Sequence, residues 1–256
     1  MTMSDYSPSE FMIAAAARAL EGKKTVFVGV GLPGVACNLA RHTVAPNIQM
    51  VYESGVVGAR PARSPLSIGD PTLVSGALLC CSQADLFMYY LQAGRIEVAF
   101  LGAAQIDRYG NLNSTVIGSY DEPKVRLPGS GGACEIAAHA QDVFLIMRLK
   151  KRAFVKTLDF QTSPGHLGGR SERSALDLPG SGPRILVSDM GVFVFDNISG
   201  EMTLQRIRPG VTVEMVQAEV GWPLKVAVDL RDEEPPSPEE LRIIREELAS
   251  GSGQVE

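Results

Sequence analysis

Nothing in this sequence has the spacing of a metal or redox centre. Its four cysteines, Cys37, Cys80, Cys81 and Cys134, never form the C-x-x-C that a zinc site or a thioredoxin-like centre would use. The three histidines, His42, His139 and His166, are scattered, and no Ser-His-Asp order can be built from them. His139 is therefore expected on a helix and His166 in a loop. No apolar run reaches the roughly 18 residues of a membrane-spanning helix. The opening Met-Thr-Met-Ser-Asp-Tyr has no basic region followed by an apolar stretch, so it does not read as a signal peptide. Clustered positive charge is missing too: basic residues are scattered and the formal net charge is −5, which argues against nucleic acid or an anionic membrane as partner. These absences lead to the expectation of a cytoplasmic protein with reduced thiols and a small-molecule ligand. Cys80-Cys81 are then expected as buried packing, since free cysteine is among the most buried residue types.

What is present is ordinary for a globular chain. Of 256 residues, 45% are hydrophobic and 21% charged, enough to bury a core. No repeat and no interdomain linker is visible, so a single domain over 1–256 is expected, with a frayed tail at about 249–256. Ser7-Pro8-Ser9-Glu10 has the form of a helix start, and Phe11 to Leu20 continues it up to Gly22. Thr25 to Gly29 reads as a strand, Val35 to His42 as a helix and Ile48 to Tyr52 as the next strand, which begins a βαβ unit with parallel strands. Gln83 to Ala93 reads as an amphipathic helix. Val98 to Ala104 is apolar throughout, as a mid-sheet strand covered on both faces should be. Further strands are expected at Val143 to Arg148, Ala153 to Leu158, Arg184 to Ser188 and Gly191 to Asp196, with Met202 to Arg206 pairing back as an antiparallel extension. Glu239 to Leu248 closes the chain as a helix. The fold class is thus α/β, an open and mostly parallel sheet flanked by helices.

Two segments carry candidate chemistry. Gly29-Val-Gly31-Leu-Pro-Gly34 matches G-x-G-x-x-G between a strand and a helix, and Glu53 stands at the end of the following strand. That is close to a dinucleotide fingerprint, in which the glycines admit a pyrophosphate and the acid holds a ribose hydroxyl. The same glycines equally describe a tight strand-to-helix turn, and Ser54-Gly55 after Glu53 makes a turn that points the carboxylate into the crevice beyond the strand. Glu53 could there be base, ligand or nucleophile, or a solvated surface residue. The second segment, Pro128-Gly-Ser-Gly-Gly-Ala133, leads into a helix from Cys134 to Ala140. Backbone amides among its glycines could hold an anion or a developing oxyanion, or simply form a helix-entry loop.

Five motifs occur together in order: Val51-Tyr-Glu-Ser-Gly55, Phe100-Leu-Gly-Ala-Ala-Gln-Ile-Asp107, Tyr109-Gly-Asn-Leu-Asn-Ser-Thr115, Pro128-Gly-Ser-Gly-Gly-Ala133 and Asp159-Phe-Gln-Thr-Ser-Pro-Gly165. From about Ser9 to about Leu248 the chain resembles the beta subunits of glutaconate CoA-transferases, in the class I CoA-transferase family. The resemblance implies the open α/β fold of that family (the NagB/RpiA-like type) and a catalytic glutamate at Glu53 within its E-S-G motif. In such enzymes the carboxylate attacks an acyl-CoA to form a mixed anhydride and then a glutamyl-CoA thioester. No bound cofactor is implied, since the coenzyme A thioester is itself the substrate. The resemblance also places Ser54, Gly55, Gly102, Gln105, Gly129, Gly131, Gly132 and Ala133 near CoA or substrate, with Gly102 to Gln105 first a structural support. It further implies an alpha-type partner that completes the site. Lys124 and Arg126 are expected to be solvated. The alternatives are a decarboxylase or hydrolase acting on a (methyl)glutaconyl-CoA type thioester, an NAD-dependent dehydrogenase, and a non-catalytic ligand-binding domain. The intact Glu53-Ser-Gly favours transfer, because an enzyme that forms no glutamyl thioester has no need of that carboxylate.

Overall fold

The structure, a computed structural model, describes residues 6–61 and 63–248. It divides into two compact units, one reaching to Phe100 and resuming at Glu234, the other spanning Leu101–Glu233.

In the first unit, Ser7 caps helix α1 (Pro8–Arg18): its hydroxyl accepts the Glu10 amide, and the Glu10 carboxylate accepts the Ser7 amide in return. This reciprocal cap satisfies two amides that the helix cannot. Phe11 to Ala17 are all buried, so α1 is apolar around its whole circumference and lies inside the unit. Its alanines let helix α2 (Leu32–His42) approach closely. Strand β1 (Thr25–Phe27) precedes α2 and β2 (Gln49–Tyr52) follows it, paired parallel with Val26 opposite Met50. Next come β3 (Val56–Val57), β4 (Leu79–Cys80), helix α3 (Gln83–Asp85), which runs on as π-helix over Leu86–Leu91, and β5 (Val98–Leu101). The order is β5-β1-β2-β3-β4, parallel across β5, β1 and β2 and antiparallel beyond. All of β5 is buried, as expected of an apolar strand covered on both faces.

The second unit opens with two antiparallel ribbons, β6 (Gln105–Ile106) with β7 (Leu112–Asn113) and β8 (Val116–Gly118) with β9 (Pro123–Arg126). Helix α4 (Ala133–His139) leads into β10 (Asp142–Ile146), and α5 (Arg170–Ala175) precedes the meander β11 (Pro183–Val187), β12 (Gly191–Phe195) and β13 (Met202–Ile207). Helix α6 (Val213–Ala218) then crosses to β14 (Lys225–Asp232). The order is β10-β11-β12-β13-β14, with parallel pairs at both ends and the antiparallel meander between. Arg173, only 3% exposed, ties this unit together by donating to the carbonyls of Gly165, Gly180, Ala137 and Ala138.

The chain returns to the first unit through α7 (Pro238–Arg242), which continues to Leu248. Ser237 and Glu240 repeat the reciprocal cap of α1. The two capping glutamates are cross-bound: Arg245 donates to Glu10 and Arg18 to Glu240. Burial opposes ionisation of both carboxyls, but the arginines and capping amides outweigh it and hold each below its ordinary range.

Three expectations need correction, and one strand was missed. Ala153 to Leu158 is not a strand; only Phe154 bridges Ile106. The amides of Ala153 and Phe154 both turn back to the Lys150 carbonyl, and Phe154 is held by its ring against Trp222. Cys80 is exposed and Cys81 half-buried, because β4 is an edge strand and offers no core face. Basic residues are not all scattered, as the cavity below shows. Strand β14 went unread because most of its residues are exposed, Val228 fully so, which blurs the alternation of a half-buried strand. The expected tail at 249–256 lies outside the described residues.

Candidate active-site elements

Glu53 follows directly on β2 in the first unit. Tyr52 before it is 1% exposed, and burial pushes its phenol well above the ordinary range, with Cys37 adding to the effect. The strand therefore ends in an apolar anchor, and Glu53, half-buried, is the first side chain to leave it. The Gln83 side-chain amide at the start of α3 donates to a Glu53 carboxylate oxygen at 3.4 Å. Ser54 is exposed. Gly55 turns the chain back: its amide bonds the Tyr52 carbonyl at 2.9 Å, and its own carbonyl accepts the Cys81 amide at 2.9 Å. Its φ is +96°, and a Cβ there would be driven into the Cys81 carbonyl, so only glycine makes this turn. Gly55 thus aims Glu53 from below and presents little of itself. The fingerprint glycines have a local explanation of the same kind. Gly31, at φ +82°, caps α2, and Gly34 passes the Gly29 carbonyl with a Cβ allowance of only 3.2 Å.

In the second unit Gly102 is exposed, at the carboxyl end of β5. A Cβ there would lie 3.3 Å from the Ile146 carbonyl. Gln105 is 5% exposed and fully engaged: its side-chain oxygen accepts from Asn113 and from the Asp159 amide, and its NH2 donates to the Asp159 carboxylate. It pins the β6–β7 ribbon to the 159 loop. Within the glycine loop, the Gly129 amide donates to Ser114 and the Ala133 amide to Ser130, so both are spent on holding the loop's shape. Gly131 is exposed, at φ +49°, and Gly132 is the residue before α4. Arg126 is exposed and lies over the Tyr120 ring at 4.9 Å, in keeping with its expected place in solvent.

The residue pattern did not point to a cavity of about 560 Å³ within the second unit. It lies outside the carboxyl ends of the strands, where open α/β sheets bind ligands, with Ala103 to Gln105 after β5 and Ile146 to Arg148 at the end of β10 in its wall. Ile117, Val125 and Leu127 are among its apolar lining residues, and Arg148, Lys150 and Arg152 bring positive charge to it. The signal was available: four cations in five residues, Arg148-Leu-Lys-Lys-Arg152, directly after a strand.

Residues 10–219 match the Coenzyme A transferase family. The chain is 46% identical over 243 residues to the B-type subunit of 3-oxoadipate CoA-transferase from Pseudomonas knackmussii, covering 95% of this chain and 94% of that one. It is 34% identical to the B-type subunit of glutaconate CoA-transferase from Acidaminococcus fermentans, covering 99% and 96%. The crystal structure of glutaconate coenzyme A-transferase from Acidaminococcus fermentans superposes with a TM-score of 0.92 at 32% identity, over 100% of this chain and 99% of its own. The fold implied by the five motifs is therefore the observed one, and the chain belongs to the coenzyme A transferase family.

Proposed function

We propose that this chain is the B-type subunit of a heteromeric CoA-transferase of the cytoplasm that moves CoA between an acyl-CoA and a dicarboxylic acid, with Glu53 as the covalent carrier. The observation that carries the reading is the placement of Glu53: a carboxylate delivered from a buried strand end by a turn that only Gly55 can make, within an intact Glu-Ser-Gly motif. A Glu53 oxygen attacks the thioester carbonyl and the C–S bond breaks, releasing CoA thiolate and leaving an anhydride between Glu53 and the donor acid. The thiolate then attacks the Glu53 carbonyl, expelling the donor as its carboxylate and leaving CoA on Glu53. The acceptor carboxylate repeats the sequence in reverse, so the enzyme is regenerated without any other reactant. The Gln83 amide, already on the carboxylate, is placed to keep one oxygen oriented while the other attacks. Both named relatives are B-type subunits, which supports an alpha-type partner, heterodimeric or larger. Their acids, 3-oxoadipate and glutaconate, are both dicarboxylic, and the higher identity to the 3-oxoadipate enzyme favours the six-carbon oxo acid over glutaconate as acceptor.

The test is intact-mass spectrometry of the chain co-expressed with its alpha-type partner and incubated with an acyl-CoA but no acceptor. CoA should attach to the peptide carrying Glu53, and Glu53→Ala should remove the adduct and lower transfer by at least about 10⁴-fold. Absence of any adduct together with CO2 release from methylglutaconyl-CoA would replace transfer by decarboxylation.

A further inference from the structure

Transfer through Glu53 asks two opposite things of one carboxylate. In the first step it attacks, and its charge is given up to the anhydride. In the second it is attacked: the CoA thiolate adds to the Glu53 carboxyl carbon, and a full negative charge gathers on the one oxygen that stays with Glu53. The acceptor acid later adds to the glutamyl thioester and raises the same charge on the same oxygen. A donor aimed at that oxygen speeds both additions, because it binds the charged transition state more strongly than the neutral carbonyl before it.

Gln83 is placed as such a donor. Its side-chain amide donates to Glu53 Oε1 at 3.4 Å. That is a long bond in the resting protein, and catalytic hydrogen bonds commonly tighten only once substrate is bound. The backbone fixes the two residues relative to each other. The carbonyl of Gly55, two residues after Glu53, accepts the amide of Cys81, two residues before Gln83, at 2.9 Å, and Val56 pairs with Cys80 in the ladder of β3 and β4. Ser82 then opens α3: its hydroxyl accepts the Asp85 amide at 3.0 Å and donates to the Asp85 carboxylate at 2.7 Å. The cap sets the direction in which residue 83 leaves the strand and gives the neighbouring acid a partner other than the Gln83 amide. The helix runs on as π-helix over Leu86–Leu91, a form frequent at functional sites. Glutamine also suits the task by being neutral. A full positive charge here would hold Glu53 as a carboxylate and blunt its first attack, whereas an amide N–H gains strength as charge concentrates on one oxygen.

We propose that Gln83 is a catalytic residue of the transfer, its Nε2 donating to the oxygen that carries the charge whenever the Glu53 carbonyl is attacked. The proposal rests on the transferase reading and goes beyond orientation of the resting carboxylate: it assigns Gln83 to the making and breaking of the glutamyl-CoA thioester, not to the first attack on the acyl-CoA.

The thioester itself is the place to test this. The complex with the alpha-type partner is loaded from an acyl-CoA, freed of small molecules by gel filtration and mixed with hydroxylamine, which adds to the Glu53 carbonyl, releases CoA as its thiol and leaves a Glu53 hydroxamate. That reaction contains no other carbonyl addition. Gln83→Met removes the donor while keeping the length of the side chain, and Gln83→Glu removes it while keeping the shape. Gln83 is exposed, so both variants should keep the parent's melting temperature. Each should slow CoA release by hydroxylamine about 10- to 100-fold and lower kcat by a similar factor, with KM for acyl-CoA moved less than about twofold. Gln83→Glu should be the slower of the two, since it adds a charge of the wrong sign. A lowered kcat with an unchanged hydroxylamine rate would overturn the proposal by confining Gln83 to orienting the nucleophile, and unchanged values of both would overturn it outright. A parent complex that takes up no CoA on Glu53 fails at an earlier point: it ends the transferase reading and removes the step to which Gln83 is assigned. A parent that loads normally, beside variants that react with hydroxylamine as fast, ends this inference alone.

Discussion

The most buried arginine of the second unit is used in the opposite way to the arginines that clasp the ends of the first. In the first, arginines meet carboxylates: Arg245 binds Glu10 and Arg18 binds Glu240, joining two helices whose sequences lie more than 200 residues apart. In the second, Arg173 meets no carboxylate at all and is satisfied by four backbone carbonyls. Burial lowers its ionisation to about 10, with Arg170 adding repulsion, so it still carries charge at neutral pH. Beside it His166, 0% exposed, donates from Nε2 to the Pro183 carbonyl, while its Nδ1 is buried with no partner. The clasp of the first unit is built of charge pairs whose carboxyls are held below their ordinary range. The second unit has charge pairs of its own, among them Arg206 with Glu233, and adds to them a buried cation held by carbonyls and a histidine that burial keeps neutral.

The largest effect should come from removing the fixed cation. Arg173→Met leaves the carbonyls of Gly165, Ala137 and Gly180 short of a donor inside the protein, and should cost about 3–5 kcal/mol. Urea unfolding would give the size, and hydrogen exchange should show the loss across 165–182 before it appears in α1. A uniform loss across both units would mean that they unfold as one and that the contrast between them has no energetic content.

Next in size is an acid window specific to the second unit. His166 is lowered from 6.5 to about 4, chiefly by burial, with the Pro183 bond acting the other way and Arg170 and Arg173 assisting. The unfolded chain therefore binds a proton below about pH 6.5 that the folded chain refuses until about pH 4. Stability contributed by neutral His166 is complete above pH 6.5 and is lost as pH falls through that interval, reaching about 3 kcal/mol below pH 4. Measured stability against pH should slope across this range, and His166→Gln should flatten it. A slope unchanged in that variant would assign the acid sensitivity elsewhere.

These contrasts were legible in the sequence to very different degrees. The capping motif Ser7-Pro8-Ser9-Glu10 is local, so the start of α1 was readable, as were the β1-α2-β2 unit and the β11 to β13 meander. Glu53 was readable as a strand-end acid, and five motifs together raised it above the alternatives. Its neighbour Gln83 was not, because the two are 30 residues apart in sequence and only the fold brings them together. The exposure of Cys80 depended on β4 being an edge, which no local composition records. Arg173 and Arg245 are ordinary arginines in sequence, and what distinguishes them is what the chain folds around.

The smallest effect sharpens the comparison from the other side. Arg245 is 46% exposed as a side chain, so solvent screens its pair with Glu10, and Arg245→Ala should cost only about 1–2 kcal/mol. Its pH signature should be distinct from that of His166. Glu10 and Glu240 are held below their ordinary value of 4.5, so the stability they contribute is present above that value and is lost as pH falls beneath it. Acid should therefore loosen the second unit first and the α1–α7 clasp only later, and Arg245→Ala should remove the Glu10 share of the later step alone, leaving the share of Glu240 with Arg18. Hydrogen exchange in α1, followed from about pH 7 to about pH 3 in the parent and the variant, separates the two steps. If α1 opened in the same interval as residues 165–182, the clasp would be a passenger on the second unit's titration and not a device of its own.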